Sequence, residues 1–156
     1  MIHVEGSVTI NRRPDDVARF ITDIDRQTEW TDMTASRKLT EGPLRTGSQA
    51  YAEVPLGPLK LGWTWEVTDF DPSRGMTYRT VSASAIGMDG SYRWSPHGES
   101  GTRLHAVVEV RTRGLLRLLE PLLRGEISRS ERGEWDRLKA ILEQGAEEMA
   151  RAGASA

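Results

Sequence analysis

The sequence predicts one α+β domain in which a curved antiparallel sheet closes around a long C-terminal helix. Short segments of alternating polarity, separated by turn residues, run from Ile2 to Thr112. A single long helical stretch follows over residues 114–149, and strands with one apolar face need such an apolar partner. A chain of 156 residues is enough for one domain with a core and too short for two of ordinary size. We therefore expect a single ligand-binding domain over residues 1–151 and a disordered tail of small residues over 152–156.

Composition excludes several classes of protein. The chain has 21 basic and 23 acidic residues, a net charge of -2, so no basic field recruits nucleic acid. No apolar run is long enough to span a bilayer and no signal peptide follows Met1, which predicts a cytoplasmic protein without integral membrane association. The absence of cysteine excludes disulfides, thiolate nucleophiles and cysteine zinc sites.

No motif points to a cofactor or a metal. The three histidines lack metal-ligand spacing, and no cluster of acidic residues joins them. The chain contains no G-x-S-x-G elbow, P-loop or G-x-G-x-x-G, so serine hydrolase, NTPase and dinucleotide-binding functions lack support. We expect no cofactor, no metal, and a monomer or a homodimer.

The first thirty residues predict a strand and two short helices. Residues Ile2 to Ile10 alternate between apolar and polar, as in a half-buried strand. Pro14 suits the first position of a helix, whose apolar stripe would run from Val17 to Ile24. A second short helix would end near Trp30.

Six further strands follow. The longest places its apolar residues, Leu61, Trp63, Trp65 and Val67, on one face. Loops of hairpin length between the strands indicate an antiparallel meander. The predicted strands cover residues 36–40, 47–54, 59–70, 76–84, 90–94 and 102–112.

The C-terminal helical stretch is divided by Pro121, which disfavours helical backbone at the residue before it. We expect a short apolar lid over residues 115–119 and a long helix from Pro121. The apolar stripe of this helix is interrupted at Ser130 and Glu134. Either these two side chains face a pocket and orient a ligand, or the stripe rotates and leaves both in water. An unpaired buried carboxylate is costly, which favours water for Glu134, while the position of Ser130 stays open.

Several segments together resemble a known superfamily. They are the strand Val4-Glu5-Gly6-Ser7-Val8-Thr9-Ile10, the run Arg13-Pro14-Asp15-Asp16-Val17, Ile21-Thr22-Asp23 with Trp30, and the closing Leu138-Lys139-Ala140-Ile141-Leu142-Glu143. The pattern is similar to the START-like / Bet v 1-like helix-grip superfamily (SRPBCC), in its polyketide cyclase/dehydrase and lipid-transport branch. The resemblance implies a seven-stranded antiparallel sheet gripping the last helix, with two short helices between the first and second strands. It also implies pairing of the first and last strands and a cavity for an apolar small molecule.

Aromatic residues on the apolar strand faces are the candidate ligand contacts. An aromatic wall would bind a flat or hydrocarbon ligand and offer indole and phenol groups as polar handles. The alternative is that these rings only fill a core that has just two phenylalanines. Small strand residues beside the rings, such as Ala106, favour a void. The candidate ligand-binding residues are Trp30, Trp63, Trp65, Tyr78, Tyr92, Trp94 and Ser130.

Three functions are compatible with the pattern. The first is binding or transport of an apolar, lipid-like or polyketide-like molecule, since no catalytic constellation is assembled and the catalytic residues are unknown. The alternative is a polyketide aromatase/cyclase or dehydratase, for which Tyr78, Arg79 and Arg93 are the first residues to test, although both arginines fall on the outward phase. The third is an interaction protein that docks a partner through residues 115–123. If the first and last strands pair, as the resemblance implies, Glu5 and His105 would be neighbours, either as an acid/base pair or, as their outward phase favours, as a solvated ion pair.

Overall fold

The computed structural model describes residues 1–83 and 85–154. Its last helix includes residues 152–154, which the sequence assigned to a disordered tail, whereas residues 155 and 156 lie outside the described part. Ser84, the predicted end of one strand, also lies outside it. In chain order the elements are β1 (Ile2–Ile10), α1 (Pro14–Ile21), a first 3-10 helix (Ile24–Glu29), β2 (Ala35–Lys38), β3 (Gln49–Leu56), β4 (Leu59–Asp71), β5 (Gly75–Ala83), β6 (Ile86–His97), β7 (Gly101–Thr112), a second 3-10 helix (Gly114–Leu119) and α2 (Glu120–Ala154).

The seven strands form one antiparallel sheet in the order β1-β7-β6-β5-β4-β3-β2. Consecutive strands pair along the meander from β2 to β7, and β1 returns to pair with β7, so that Val4 faces Val108 across the ladder. The predicted α+β helix-grip arrangement, with two short helices between β1 and β2, is confirmed. On the outer face of the β1–β7 pair, His105 Nε2 lies 2.9 Å from Glu5 Oε1, and both side chains are exposed, as expected.

Strand β6 is longer than the sequence predicts because two glycines interrupt its apolar pattern. It begins at Ile86 instead of residue 90. A Cβ atom at Gly90 would lie 2.5 Å from the carbonyl oxygen of Val107 and 2.7 Å from the hydroxyl oxygen of Tyr78. Gly90 therefore makes room for the phenol of its partner across the ladder, Tyr78, on β5.

The long helix α2 is anchored by its C-terminal half. Leu138 and Leu142 are buried in one core cluster with Ile10, Val17 and Leu104. The N-terminal half has no fully buried side chain before Trp135, because it lies over the cavity described below. No helix in residues 1–83 or 85–154 is long and apolar enough to cross a membrane.

The absence of a side chain at Gly6 allows α2 to approach the sheet closely. A Cβ atom there would lie 2.8 Å from Glu131 Oε1 and 3.0 Å from Trp135 Nε1. These distances are shorter than ordinary van der Waals contact, so a larger residue would push the Glu131 carboxylate aside and press on the Trp135 ring. The contact holds two α2 side chains, Glu131 and Trp135, at the edge of the cavity.

Candidate functional site

A cavity of about 450 Å³ lies between the sheet and the N-terminal half of α2. This volume is within the usual range for a small-molecule site. Most of the wall is apolar. The strands contribute Val4, Leu61, Met88 and Val108, and the helix contributes Leu123 and Ile127.

Two stacked tyrosines form part of the wall. The ring centroids of Tyr78 and Tyr92 lie 5.9 Å apart with an interplanar angle of 28°. Burial raises the pKa of both phenols, and the charge of Glu134 raises both pKa values further. Both side chains are therefore neutral phenols at physiological pH. The Tyr92 hydroxyl hydrogen-bonds that of Tyr78, which leaves the Tyr78 O–H to donate to a ligand oxygen.

Two tryptophans supply indole groups without hydrogen-bond partners. Trp30 and Trp135 stack with centroids 6.5 Å apart, and both line the cavity. Their side chains are 1% and 9% exposed, and neither buried Nε1 atom has an acceptor among the described residues. A buried donor without an acceptor is costly, and native structures leave few of them. Both Nε1 atoms are enclosed by protein atoms, and Trp135 Nε1 faces Gly6, so the two rings line the cavity without presenting these donors to a ligand.

Glu134 faces the cavity, and the expectation that it lies in water is wrong. Its Oε1 atom accepts a 2.8 Å hydrogen bond from the backbone N–H of Asp32. Burial raises the pKa of the Glu134 carboxyl to about 7, with the charges of Asp32 and Glu131 adding to the effect. The Asp32 N–H and Arg137 act in the opposite direction and do not cancel it. The carboxyl is therefore close to half protonated at neutral pH, which resolves the energetic objection to its burial.

A polar network connects α2 to the loop that follows the first 3-10 helix. Ser130 donates its hydroxyl hydrogen bond to Asp32 Oδ2. The guanidinium of Arg137 lies 2.6 Å from Asp32 Oδ1 and donates to the carbonyl oxygen of Trp30 at 3.1 Å. This network orients Trp30 and leaves Ser130 only its lone pairs for a ligand.

The polar part of the lining is acidic. None of the described residues that line the cavity is a lysine, an arginine or a histidine, whereas Asp32, Glu126, Glu131 and Glu134 all contribute. Asp32 is paired with Arg137, and Glu126 accepts a hydrogen bond from Arg129 at the exposed rim. Among the described residues, no three His, Asp or Glu side chains could hold a metal ion.

Four of the seven candidate ligand residues line this cavity, namely Trp30, Tyr78, Tyr92 and Ser130. Trp63 and Trp65 instead pack in the core behind the tyrosines, where the centroid of Trp65 lies 5.4 Å from that of Tyr78. Trp94 belongs to the other core cluster and donates its indole N–H to the carbonyl oxygen of Pro72 at 3.0 Å. These three rings point inward as predicted, but strand alternation specifies a face and not a position along the strand.

The two arginines considered for catalysis lie outside the cavity. Arg79 and Arg93 are exposed on the outer face of the sheet, and Arg79 lies 3.5 Å from Glu66. The strand alternation had predicted that both side chains face outward, and this is confirmed. Neither side chain can contact a ligand in the cavity.

Sequence reasoning missed Trp135 and Glu131 as lining residues. Both continue the helical spacing set by Leu123 and Ile127, since Glu131 lies at i+8 and Trp135 at i+12 from Leu123. The signal was therefore present in the helical period. The period was hard to recognise because a glutamate within an apolar stripe usually means that the stripe is interrupted there.

Comparisons with known proteins support the same fold. A family model described as "Polyketide cyclase / dehydrase and lipid transport" matches residues 1–143. A search of curated proteins found no match to the sequence. Among solved structures, the chain is similar to the ZhuI aromatase/cyclase from Streptomyces sp. R1128, with a TM-score of 0.76, 20% identity, and coverage of 91% of this chain and 93% of that one.

Two further structures extend this comparison. A START superfamily protein from Mycobacterium smegmatis matches with a TM-score of 0.72 and 14% identity, covering 91% of this chain and 97% of that one. The protein TTHA0849 from Thermus thermophilus matches with a TM-score of 0.69 and 16% identity, covering 89% of this chain and 98% of that one. At these identities the structures establish the fold alone. Because the family match covers nearly the whole chain, the protein belongs to the polyketide cyclase/dehydrase and lipid transport family.

Proposed function

We propose that this protein binds or carries an uncharged, apolar small molecule with one or more oxygen atoms, of the lipid or polyketide kind, in the cytoplasm. The observation that carries the proposal is the cavity of about 450 Å³ with apolar walls between the sheet and α2. The phenol of Tyr78 and the carboxyl of Glu134, which line the cavity, favour a ligand with carbonyl or hydroxyl oxygens.

The charges of the lining argue against an anionic ligand. A ligand carboxylate in the cavity would lie near Glu131 and Glu134, and no described lining residue is cationic. Like charges in a partly buried site repel each other more strongly than in water. Free fatty acids are therefore poorer candidates than neutral molecules of the same length.

The proposal is tested by purifying the protein natively and identifying co-purifying small molecules by mass spectrometry. We expect a neutral, oxygen-containing apolar species. If no species co-purifies and apolar probes leave tryptophan fluorescence unchanged, the proposal fails.

The preference for neutral ligands gives a quantitative prediction. At about pH 8, 1-decanol should bind at least about tenfold more tightly than decanoate, because the ionised Glu134 repels the carboxylate. Calorimetry or tryptophan quenching measures both affinities. Glu134→Gln should improve decanoate binding and leave decanol binding nearly unchanged. Glu148→Gln, an exposed position on the same helix, is the matched control for the change in net charge.

A second candidate function, as an aromatase/cyclase or dehydratase, is favoured by the carboxyl of Glu134. A group with a pKa near 7 inside a ligand cavity can both accept and return a proton. The carboxylate would remove a proton from a methylene between two carbonyl groups, while the phenol of Tyr78 donates a hydrogen bond to the enolate oxygen. The carbanion would attack a second carbonyl of the same chain. The protonated carboxyl would then return its proton to the alkoxide formed in this step. In a second cycle the carboxylate would remove the remaining proton from the same carbon and deliver it to the new hydroxyl group, which leaves as water as the C=C bond forms.

Turnover of a poly-β-ketone surrogate tests this candidate. We expect Glu134→Gln to lower kcat by about 10²- to 10⁴-fold, the usual contribution of a general base, with ligand affinity retained. Tyr78→Phe should lower kcat through loss of its donor, and Arg79→Gln, on the outer face, is the control. If the wild-type protein binds the surrogate without turnover, the binding function stands and the catalytic one is excluded for that substrate.

A further inference from the structure

The outer surface of the cavity mouth carries an unusual concentration of exposed leucines. We define the rim patch as Leu115, Leu118, Leu119 and Leu122, which are 82%, 78%, 43% and 73% exposed. They span the second 3-10 helix and the first turn of α2. Scattered exposed leucines are ordinary, but four within eight residues form a continuous apolar surface that water does not favour.

The same segment forms one side of the cavity. Leu116, which lies between Leu115 and Leu118, and Leu123, which follows Leu122, line the cavity. On another part of the lining the β3–β4 hairpin contributes Leu56, and its neighbour Leu59 is 62% exposed. The exposed leucines are therefore the outward continuation of the cavity wall.

Basic side chains around the rim patch indicate the kind of surface that would cover it. Arg113, Arg117 and Arg124 flank the leucines and are exposed, and none is ion-paired with an acidic group in the described part of the chain. Glu120, the acid within this segment, contacts the Met1 amino group at 3.1 Å and the hydroxyl of Thr112, and Arg117 acts on it only through its charge, without a salt bridge. Exposed leucines flanked by arginines match a bilayer surface, which has an apolar interior beneath anionic headgroups.

We propose that the rim patch docks the cavity mouth onto anionic lipid bilayers. The leucines enter the boundary between headgroups and acyl chains, and the three arginines contact lipid phosphates, each adding roughly fivefold to partitioning. A second copy of the chain fits the patch less well, because a symmetric contact would bring two sets of unpaired arginines together.

Docking in this position has a consequence that rests on the proposed function. A neutral apolar ligand could pass between the bilayer and the cavity without crossing water, since Leu116 and Leu123 connect the two surfaces. The acidic lining formed by Glu131 and Glu134 would exclude the anionic lipids that hold the protein there. The arginines outside the mouth are cationic and suit binding to an anionic bilayer. The glutamates inside the cavity are acidic and suit exclusion of anionic lipids.

Vesicle flotation with the full chain tests the proposal. We expect binding to phosphatidylcholine vesicles that contain about one third phosphatidylglycerol, little binding to pure phosphatidylcholine, and a large loss at about 0.5 M NaCl. The double variant Leu118→Ser/Leu122→Ser should lower the bound fraction at least about tenfold, and Arg117→Gln/Arg124→Gln should lower it roughly twenty- to thirtyfold. Leu39→Ser, at a leucine 48% exposed outside the cavity lining, is the control.

Three outcomes would overturn the proposal. They are no flotation with anionic vesicles, flotation that both double variants retain, and a wild-type dimer that Leu118→Ser/Leu122→Ser converts to a monomer. Binding of 1-decanol in solution separates this test from the proposed function. Decanol binding without flotation overturns docking alone, and flotation without decanol binding overturns the ligand function alone.

Discussion

Replacing Glu134 with glutamine is expected to remove a large pH-dependent loss of stability between about pH 5 and pH 8. In the folded protein the pKa of Glu134 is raised from the reference value of 4.5 to about 7, because the carboxyl is buried against the cavity wall. Between these two pH values the folded state binds more protons at this site than the unfolded state. The free energy of unfolding therefore falls as pH rises, and the stabilising contribution present below about pH 4.5 is gone above about pH 7.

The magnitude follows from the size of the shift. A change of about two pKa units or slightly more corresponds to an effect on the order of 3 kcal/mol, reduced in so far as water enters the cavity. Glutamine can still accept the hydrogen bond from the Asp32 N–H and carries no charge to desolvate. The variant should equal the wild type near pH 5 and exceed it near pH 8 in urea denaturation.

The groups near Glu134 decide whether the pH dependence of stability can be assigned to Glu134 alone. Burial keeps Tyr78 and Tyr92 neutral throughout the range. Asp32 is held by Arg137 and Ser130. Glu148→Gln, exposed on the same helix, should leave the pH profile of the wild type unchanged. Equal stabilisation by Glu134→Gln at pH 5 and pH 8 would contradict a raised pKa.

The architecture was predictable because each of its signals is local. Alternation in β1 and β4, the proline that opens α1, and Pro121 near the start of α2 each determine an element from neighbouring residues. The cavity was predictable only in outline. Its existence followed from a sheet and a helix that face each other, together with the polar break in the stripe of α2.

The contents of the cavity were not predictable because they depend on distances between elements. Trp65 and Tyr78 share an apolar phase, yet only Tyr78 lines the main cavity, and the difference is set by where β4 and β5 lie relative to α2. The position of Glu134 depends on a backbone N–H of Asp32, which is 102 residues away in the sequence. Interactions of this kind leave no periodic signal.

Filling the cavity should abolish ligand binding without unfolding the protein. Val108 lies on β7, faces the cavity, and is paired with Val4 on one side and Gly90 on the other. In Val108→Trp the added ring enters a space of about 450 Å³, so it can be accommodated without the displacement of backbone that overpacking requires in a dense core. We expect the affinity for 1-decanol to fall roughly a hundredfold or more, since the ring occupies the space that the apolar chain needs.

The neighbouring residue provides a control with the same chemistry. Val107 points to the opposite face of β7, so Val107→Trp adds the same ring outside the cavity. Both variants should keep the far-ultraviolet circular dichroism of the wild type, and calorimetry measures the affinities. If Val108→Trp binds decanol as well as Val107→Trp does, the ligand does not occupy this cavity. In that case the acidic pair on α2 would have to be explained by something other than ligand selection.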